Sequence, residues 1–174
     1  MGITQANFYF IKALDNYAYN FQESLEALNF ALSYDEEHAG AHCLMGRLCN
    51  EYLKTYDQAE VHFKRALFYD KNCVQAYLHY TDLLITTEEL DKAKKLIEEA
   101  LLIKGINKAK MLYRTALIFE VQRMYEESKE HLKEAISYCY NASYCDFLKA
   151  EIKRIKEKEE LLEEPKSRII FLED

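Results

Sequence analysis

The residues best equipped for chemistry fall into two groups. His38 and His42 are spaced i,i+4, with Cys43 and Cys49 close behind, a donor set that would suit zinc if all four shared one side of a helix. At about 3.6 residues per turn they point to different faces. His38 stands at a helix start and His42 in a series of large core residues, so capping and packing are the expected roles, and no metal or other cofactor is expected. The second group is a ladder, Leu44, His79, Arg114 and Lys149, each 35 residues from the next. Three rungs are basic or able to become so. Lys110 lies one turn before Arg114, and Arg47 one turn after Cys43, which adds positive charge to the same helix faces. A cationic stripe of this kind draws carboxylates, and Leu78, Tyr113 and Leu117 would supply apolar contacts beside it. The plainer reading of the same side chains is a solvated helix face, its charge balanced by Glu51, Asp82 and Glu120.

Reaction chemistry is not expected. The chain shows no nucleophile paired with a base and no phosphate-cradling glycine loop, so an enzyme is disfavoured. Acidic residues outnumber basic ones by 30 to 23, for a net charge of −7, which repels a phosphate backbone and argues against nucleic acid as a partner. Five cysteines form an odd set without a C-x-x-C pair, pointing to reduced thiols and a cytoplasmic protein. No apolar run approaches the roughly 18 residues that a membrane span requires. Ala6 stands where a myristoylation motif has Ser or Thr, so neither membrane nor lipid anchor is expected.

The elements that must position these side chains are helices. Among 174 residues there are four Gly and one Pro, too few for the turns of an all-β fold. Small residues recur at Ala31, Ala66, Ala100 and Ala135, at spacings of 35, 34 and 35, each followed by Leu32, Leu67, Leu101 or Ile136. Seven residues earlier stand Ser24, Ala59, Ala93 and Ser128, with Leu28, Phe63, Ile97 and Leu132 between. Small, bulky and small at these spacings share one helix face. Upstream of each lies a second helix with a small residue at its middle, clearest at Gly46, Thr81 and Ala116. Such a hairpin cannot cover its own apolar faces, so it stacks on copies of itself. The 14 Tyr and 9 Phe recur in this register and are read as core.

The chain here resembles a tetratricopeptide repeat protein, most closely in the run Ala59-x-x-x-Phe63…Ala66. The resemblance covers roughly residues 5 to 141 and implies an all-α, right-handed solenoid of four hairpins, about 5–36, 39–71, 74–105 and 108–140. His42, Tyr77 and Leu112 stand where the family often has Trp, and Glu36, Lys71, Gly105 and Tyr140 where it ends a repeat with Pro. The first helix, Asn7 to Tyr19, admits several registers of Phe8, Ile11, Ala13 and Leu14. Repeat two carries one extra residue, placed most simply in the turn around Leu53 to Tyr56. A capping helix about 142–164 completes a single domain over 1–164. Its stripe of Cys145, Leu148, Ile152, Ile155 and Leu162 is interrupted by Glu159, and Pro165 is expected to end it.

The resemblance also implies a function, binding of an extended peptide or partner helix in a concave groove by a non-enzymatic adaptor or scaffold. Some members clamp a C-terminal carboxylate with Lys and Arg one turn apart, aided by Asn in the preceding helices. Lys110 and Arg114 match that pair, whereas His79 and Arg47 stand for Asn and Cys43 for Lys. The expected groove residues are therefore Arg47, Leu78, His79, Lys110, Tyr113, Arg114, Leu117 and Lys149, and the expected ligand is an acidic or C-terminal segment of a protein. Alternatives are a chaperone for secreted substrates, an RNA-binding helical repeat and a purely structural subunit. The apolar and acidic tail, Ser167 to Asp174, is read as packed back, unstructured, or a self-association element docking in a neighbour's groove.

Overall fold

The computed structural model describes residues 2–168, with side chains as far as Leu162. Among the described residues there are nine α-helices, one π-helical turn and no strand. They group into two compact units, Met1–Ile106 and Asn107–Asp174. The first holds α1 (Gln5–Asn16), α2 (Phe21–Tyr34), α3 (Ala39–Leu48), the π-turn (Cys49–Leu53), α4 (Tyr56–Tyr69), α5 (Val74–Thr86) and α6 (Leu90–Leu101). The second holds α7 (Lys108–Val121), α8 (Tyr125–Ser137) and α9 (Ala142–Arg168).

Local chemistry sets where these helices start and stop. The first helix of most hairpins begins at an acceptor side chain that satisfies an otherwise orphaned amide. Thr4, His38 Nδ1, Asn107 and Asn141 accept from Asn7, Ala41, Lys110 and Tyr144 at 3.2, 3.0, 3.0 and 3.0 Å. At α5 that position is taken by Cys73. The turn inside a hairpin is closed by a left-handed residue, Lys54, Glu88 and Arg123 with φ of 55, 58 and 60°. Where the family has a repeat-ending proline, Asp35 and Asp70 fold their carboxylates over the amides of Glu37 and Asn72 at 3.0 and 2.9 Å, an Asx turn that does the same job.

The small, bulky, small face is the core. Ala31, Ala66, Ala100 and Ala135, Ala59 and Ala93, Ser24 and Ser128 are all fully covered, as are Leu28, Phe63 and Leu132, with Ile97 nearly so. The two serines do more than save space: Ser24 Oγ donates to the Ala13 carbonyl at 2.9 Å and Ser128 Oγ to that of Ala116 at 2.7 Å, pinning the two helices of a hairpin together. Close approach reaches its limit at Gly46, where an added Cβ would lie 2.8 Å from Phe63 Cε1. The open register of α1 is settled by Ala6 and Ala13, both buried, which leaves Phe8, Ile11 and Leu14 on the outside.

Four expectations need correction. The aromatic residues are not core throughout: Phe63, Tyr77 and Tyr80 are buried, whereas Phe30, Tyr34, Phe68 and Tyr140 are exposed, because the small, bulky, small face alone fills the contact between the helices. The extra residue of repeat two is absorbed earlier than the Leu53 to Tyr56 turn, by the π-turn Cys49–Leu53, because widening one helical turn keeps the backbone bonded where an insertion would otherwise shift every later contact. Helix α9 runs through Pro165 to Arg168, since the missing amide frees only one carbonyl, that of Leu161. Glu159 does not interrupt the docking of α9: it reaches Lys129 of α8 at 2.6 Å. The apolar stripe is carried by Leu148 and Ile155, whereas Leu162 is exposed. The tail beyond Arg168 lies outside the described residues.

Candidate functional site

In the first unit a cavity of about 250 Å³ opens between α1, α3 and α5, the first helices of three successive hairpins. Phe10 and Leu14 line it from α1, Gly40, Cys43, Leu44 and Arg47 from α3, and Gln75 and His79 from α5, with Cys73 at the α5 start. Gly40 lets the Phe10 ring approach, since a Cβ there would stand 3.0 Å from Phe10 Cζ. The floor is apolar and the charge sits at one side, in Arg47.

Arg47 is held by two contacts, which are themselves tied together. Its guanidinium carbon lies 4.4 Å from the centroid of the Tyr17 ring, and its Nε donates to Glu51 Oε1 at 3.3 Å. Glu51 in turn accepts from the Tyr17 hydroxyl at 2.7 Å through its other oxygen. Burial and this hydrogen bond push the Tyr17 hydroxyl well above its ordinary range. Glu51 belongs to the π-turn, as does Tyr52, whose hydroxyl donates to the Tyr17 carbonyl at 3.1 Å. The inserted residue thus builds the bracket around the cavity's cation. Such pre-ordering lowers the entropy lost when a carboxylate docks.

The ladder residues divide between the units. Leu44 is buried and His79 half-buried, and both line the cavity of the first unit, where Leu78 is buried too. In the second unit, Lys110 lines a shallower cavity of about 460 Å³ together with Asn107, Asn141, Ser143, Tyr144 and Phe147, at the starts of α7 and α9. Arg114 Nη1 donates to the Lys110 carbonyl at 3.1 Å. Lys149 is exposed and paired with Asp146 at 3.1 Å. Tyr113 meets the Phe147 ring edge to face with centroids 5.2 Å apart, and Leu117 is half-buried. Glu120 is bound within the same unit by Arg154 at 2.6 Å and Lys158 at 2.8 Å.

Phe10, Leu14, Gly40, Cys73 and Gln75 were missing from the residues expected at the groove. One signal was available: Gly40 and Gln75 are 35 apart, a second ladder one turn ahead of Leu44 and His79. His38 serves as a helix cap, and its Nε2 meets Asn7 Oδ1 at 3.0 Å. His42 is buried, with Nε2 against the Glu36 carbonyl at 2.9 Å and Nδ1 against His62 Nδ1 at 3.0 Å. Among the described residues no three His, Cys, Asp or Glu gather as a metal-holding group, and no helix is long and apolar enough to cross a membrane.

No protein-family model matches the sequence, and a comparison with curated proteins finds no match. Solved structures do match. A structure from a functional characterisation of Pseudomonas aeruginosa pilF superposes with a TM-score of 0.76 at 16% identity, covering 90% of this chain and 69% of that one. MamA gives 0.67 at 17% identity over 76% and 77%. TTC0263, a thermophilic TPR protein from Thermus thermophilus, gives 0.70 at 12% identity over 86% and 80%. Identities this low speak to the fold, and with the buried small-residue repeat they establish it. By fold, this chain is a tetratricopeptide-repeat-like helical protein.

Proposed function

We propose that the chain is a non-enzymatic interaction module, and that the cavity between α1, α3 and α5 takes a protein segment in which an acidic side chain stands beside an apolar one. One observation carries this reading: an apolar floor from three successive first helices, edged by a single arginine that Tyr17 and Glu51 already hold in place. The apolar side chain would fill the floor against Phe10, Leu14 and Leu44, and the carboxylate would meet Arg47 with His79 nearby. Lys110 beside Phe147 offers a second pairing of charge and apolar surface in the other unit. The pilus-biogenesis factor PilW, similar in fold at a TM-score of 0.69, is compatible with a role in assembly rather than chemistry.

Selection of a displayed library of linear peptides on the purified protein tests this. Enriched sequences should pair Asp or Glu with a large apolar residue. Arg47→Gln should weaken the best of them about tenfold, the loss of roughly one charge-assisted hydrogen bond, while circular dichroism and melting stay near wild type. Enrichment of basic or purely polar peptides, or binding indifferent to Arg47→Gln, would remove the site from this cavity.

A further inference from the structure

The peptide-binding reading leaves two cavity residues without a use. Cys43 and Cys73 come from α3 and from the start of α5, are 30 positions apart in the chain, and face the same cavity. Their thiols are hydrogen-bonded to each other. Cys43 is buried in mid-helix and Cys73 is half-buried at the N-cap position. We propose that Cys43 and Cys73 are a redox-active dithiol, which reacts with a small carboxylate-bearing disulfide entering the cavity and closes a reversible disulfide between α3 and α5.

The geometry separates the roles. Cys73 takes the place where the other first helices carry hydrogen-bond acceptors; its sulfur caps no amide, its carbonyl accepts from the Ala76 amide at 3.0 Å, and the sulfur lies at the positive end of α5. The Cys43 thiol and the helix N-terminus stabilise a sulfur anion there, against the opposing effects of burial and Asp70. The Cys73 thiol is accordingly held below the ordinary thiol range, with the Cys43 hydrogen bond as the largest cause. Cys43 keeps its proton for the complementary reason: it is the donor of the pair and deeply covered, which pushes it well up. Arg47, on the same cavity wall, is placed to receive a carboxylate of the reagent.

The exchange balances without any further co-reactant. The Cys73 thiolate attacks one sulfur of the reagent's disulfide, forming a mixed disulfide and releasing one thiolate. Cys43 then gives up its proton to solvent as its sulfur attacks the Cys73 sulfur. That step forms the Cys43–Cys73 bond and releases the second thiolate. Both released thiolates take up protons, so one small disulfide is reduced to two thiols while the two cysteines are oxidised.

Glutathione disulfide is the probe, used on the reduced full chain with peptide mapping by mass spectrometry. Wild type should yield a Cys43–Cys73 cross-link that a dithiol reductant reverses. Cys43→Ser should instead accumulate glutathione on Cys73, because the resolving sulfur is gone. Iodoacetamide should alkylate Cys73 at pH 7 roughly threefold faster in the folded chain than in urea, because a lowered thiol carries more thiolate even though each thiolate is somewhat less nucleophilic. This last measurement needs no variant. The proposal is overturned if Cys49, Cys139 or Cys145 is oxidised in preference, if wild type stops at the same mixed disulfide as Cys43→Ser, or if folding slows alkylation of Cys73. The iodoacetamide readout uses no peptide and the others use no sequence from the selected library, so they stand or fall apart from the function proposed above.

Discussion

At the scale of single residues, volume is matched within a hairpin. Repeat two sets the smallest residue, Gly46, against the largest partner, Phe63, where other repeats carry Thr81 or Ala116 in the one series and Ile97 or Leu132 in the other. Gly46→Ala gains about 1 kcal/mol of helix propensity but forces a methyl to within 2.8 Å of a fully buried ring, an overpacking cost of about 1–3 kcal/mol. Net destabilisation of about 1 kcal/mol is expected from urea unfolding, and in a Phe63→Leu background the same change should become stabilising. The His42–His62 pair sets a second residue-scale dependence. The Glu36 carbonyl can only accept, so His42 Nε2 carries a proton and its Nδ1 accepts from His62. Burial, then the neighbouring His42 and Arg65, lowers His62 to about 4. Burial is also the main cause lowering His42, with Arg65 and His38 adding to it and the Glu36 carbonyl and Asp35 opposing. An unfolded histidine binds its proton near pH 6.5 and these do so only lower, so stability is complete above pH 6.5 and declines as the pH falls toward 4. The decline should be on the order of 2 kcal/mol, allowing for partial exposure, and His62→Gln should flatten it in denaturant titrations across that window.

At the scale of elements, α9 is fastened by charge as much as by its apolar stripe. Glu120 of α7 receives Arg154 on both oxygens, at 2.8 and 2.6 Å, and Lys158 at 2.8 Å, and these cations hold its carboxyl down at about 2. Because that lies below the unfolded value near 4.5, the contribution is complete above pH 4.5 and fades as the pH falls from there toward 2. This window overlaps that of the histidines only at its upper edge, between pH 4.5 and about 4. Glu120→Gln should cost about 1–2 kcal/mol at neutral pH, since it leaves two cations, both partly exposed, facing a neutral group. Protection of α9 amides in hydrogen exchange should fall with it, and unchanged α9 protection would mean that Leu148 and Ile155 suffice. The periodic stripe of α9 was legible in the sequence. Its fastening was not, because Glu120 and Arg154 are 34 positions apart and nothing local marks them as partners.

At the scale of the whole chain, each hairpin depends chiefly on its immediate neighbours, the energetic hallmark of repeat architecture. Substitutions within one hairpin should therefore couple and those in distant hairpins should add. Gly46→Ala combined with Ser128→Ala should destabilise by the sum of the two within about 0.5 kcal/mol, whereas Gly46→Ala with Phe63→Leu should depart from its sum by more. Coupling between the distant pair, measured by the same urea titrations, would show longer-range cooperativity than a chain of hairpins supports.

The amino-acid order alone determined the helical repeat, since covering one face of a helix requires a local period and Ala59, Phe63 and Ala66 display it within eight positions. It also determined the buried small, bulky, small set of α2, α4, α6 and α8, but not the place of Phe30, Tyr34 and Phe68, which were expected in the core and are exposed. Tertiary structure decided the remainder. A π-turn took up the odd residue of repeat two and set Glu51 against Arg47 and Tyr17, while Ala6 and Ala13 chose the register of α1 and so brought Phe10 and Leu14 to the cavity. Cys43 met Cys73, and His42 met His62, across different helices. Periodicity states which way a side chain points; only the packing of one helix on another fixes what it meets there.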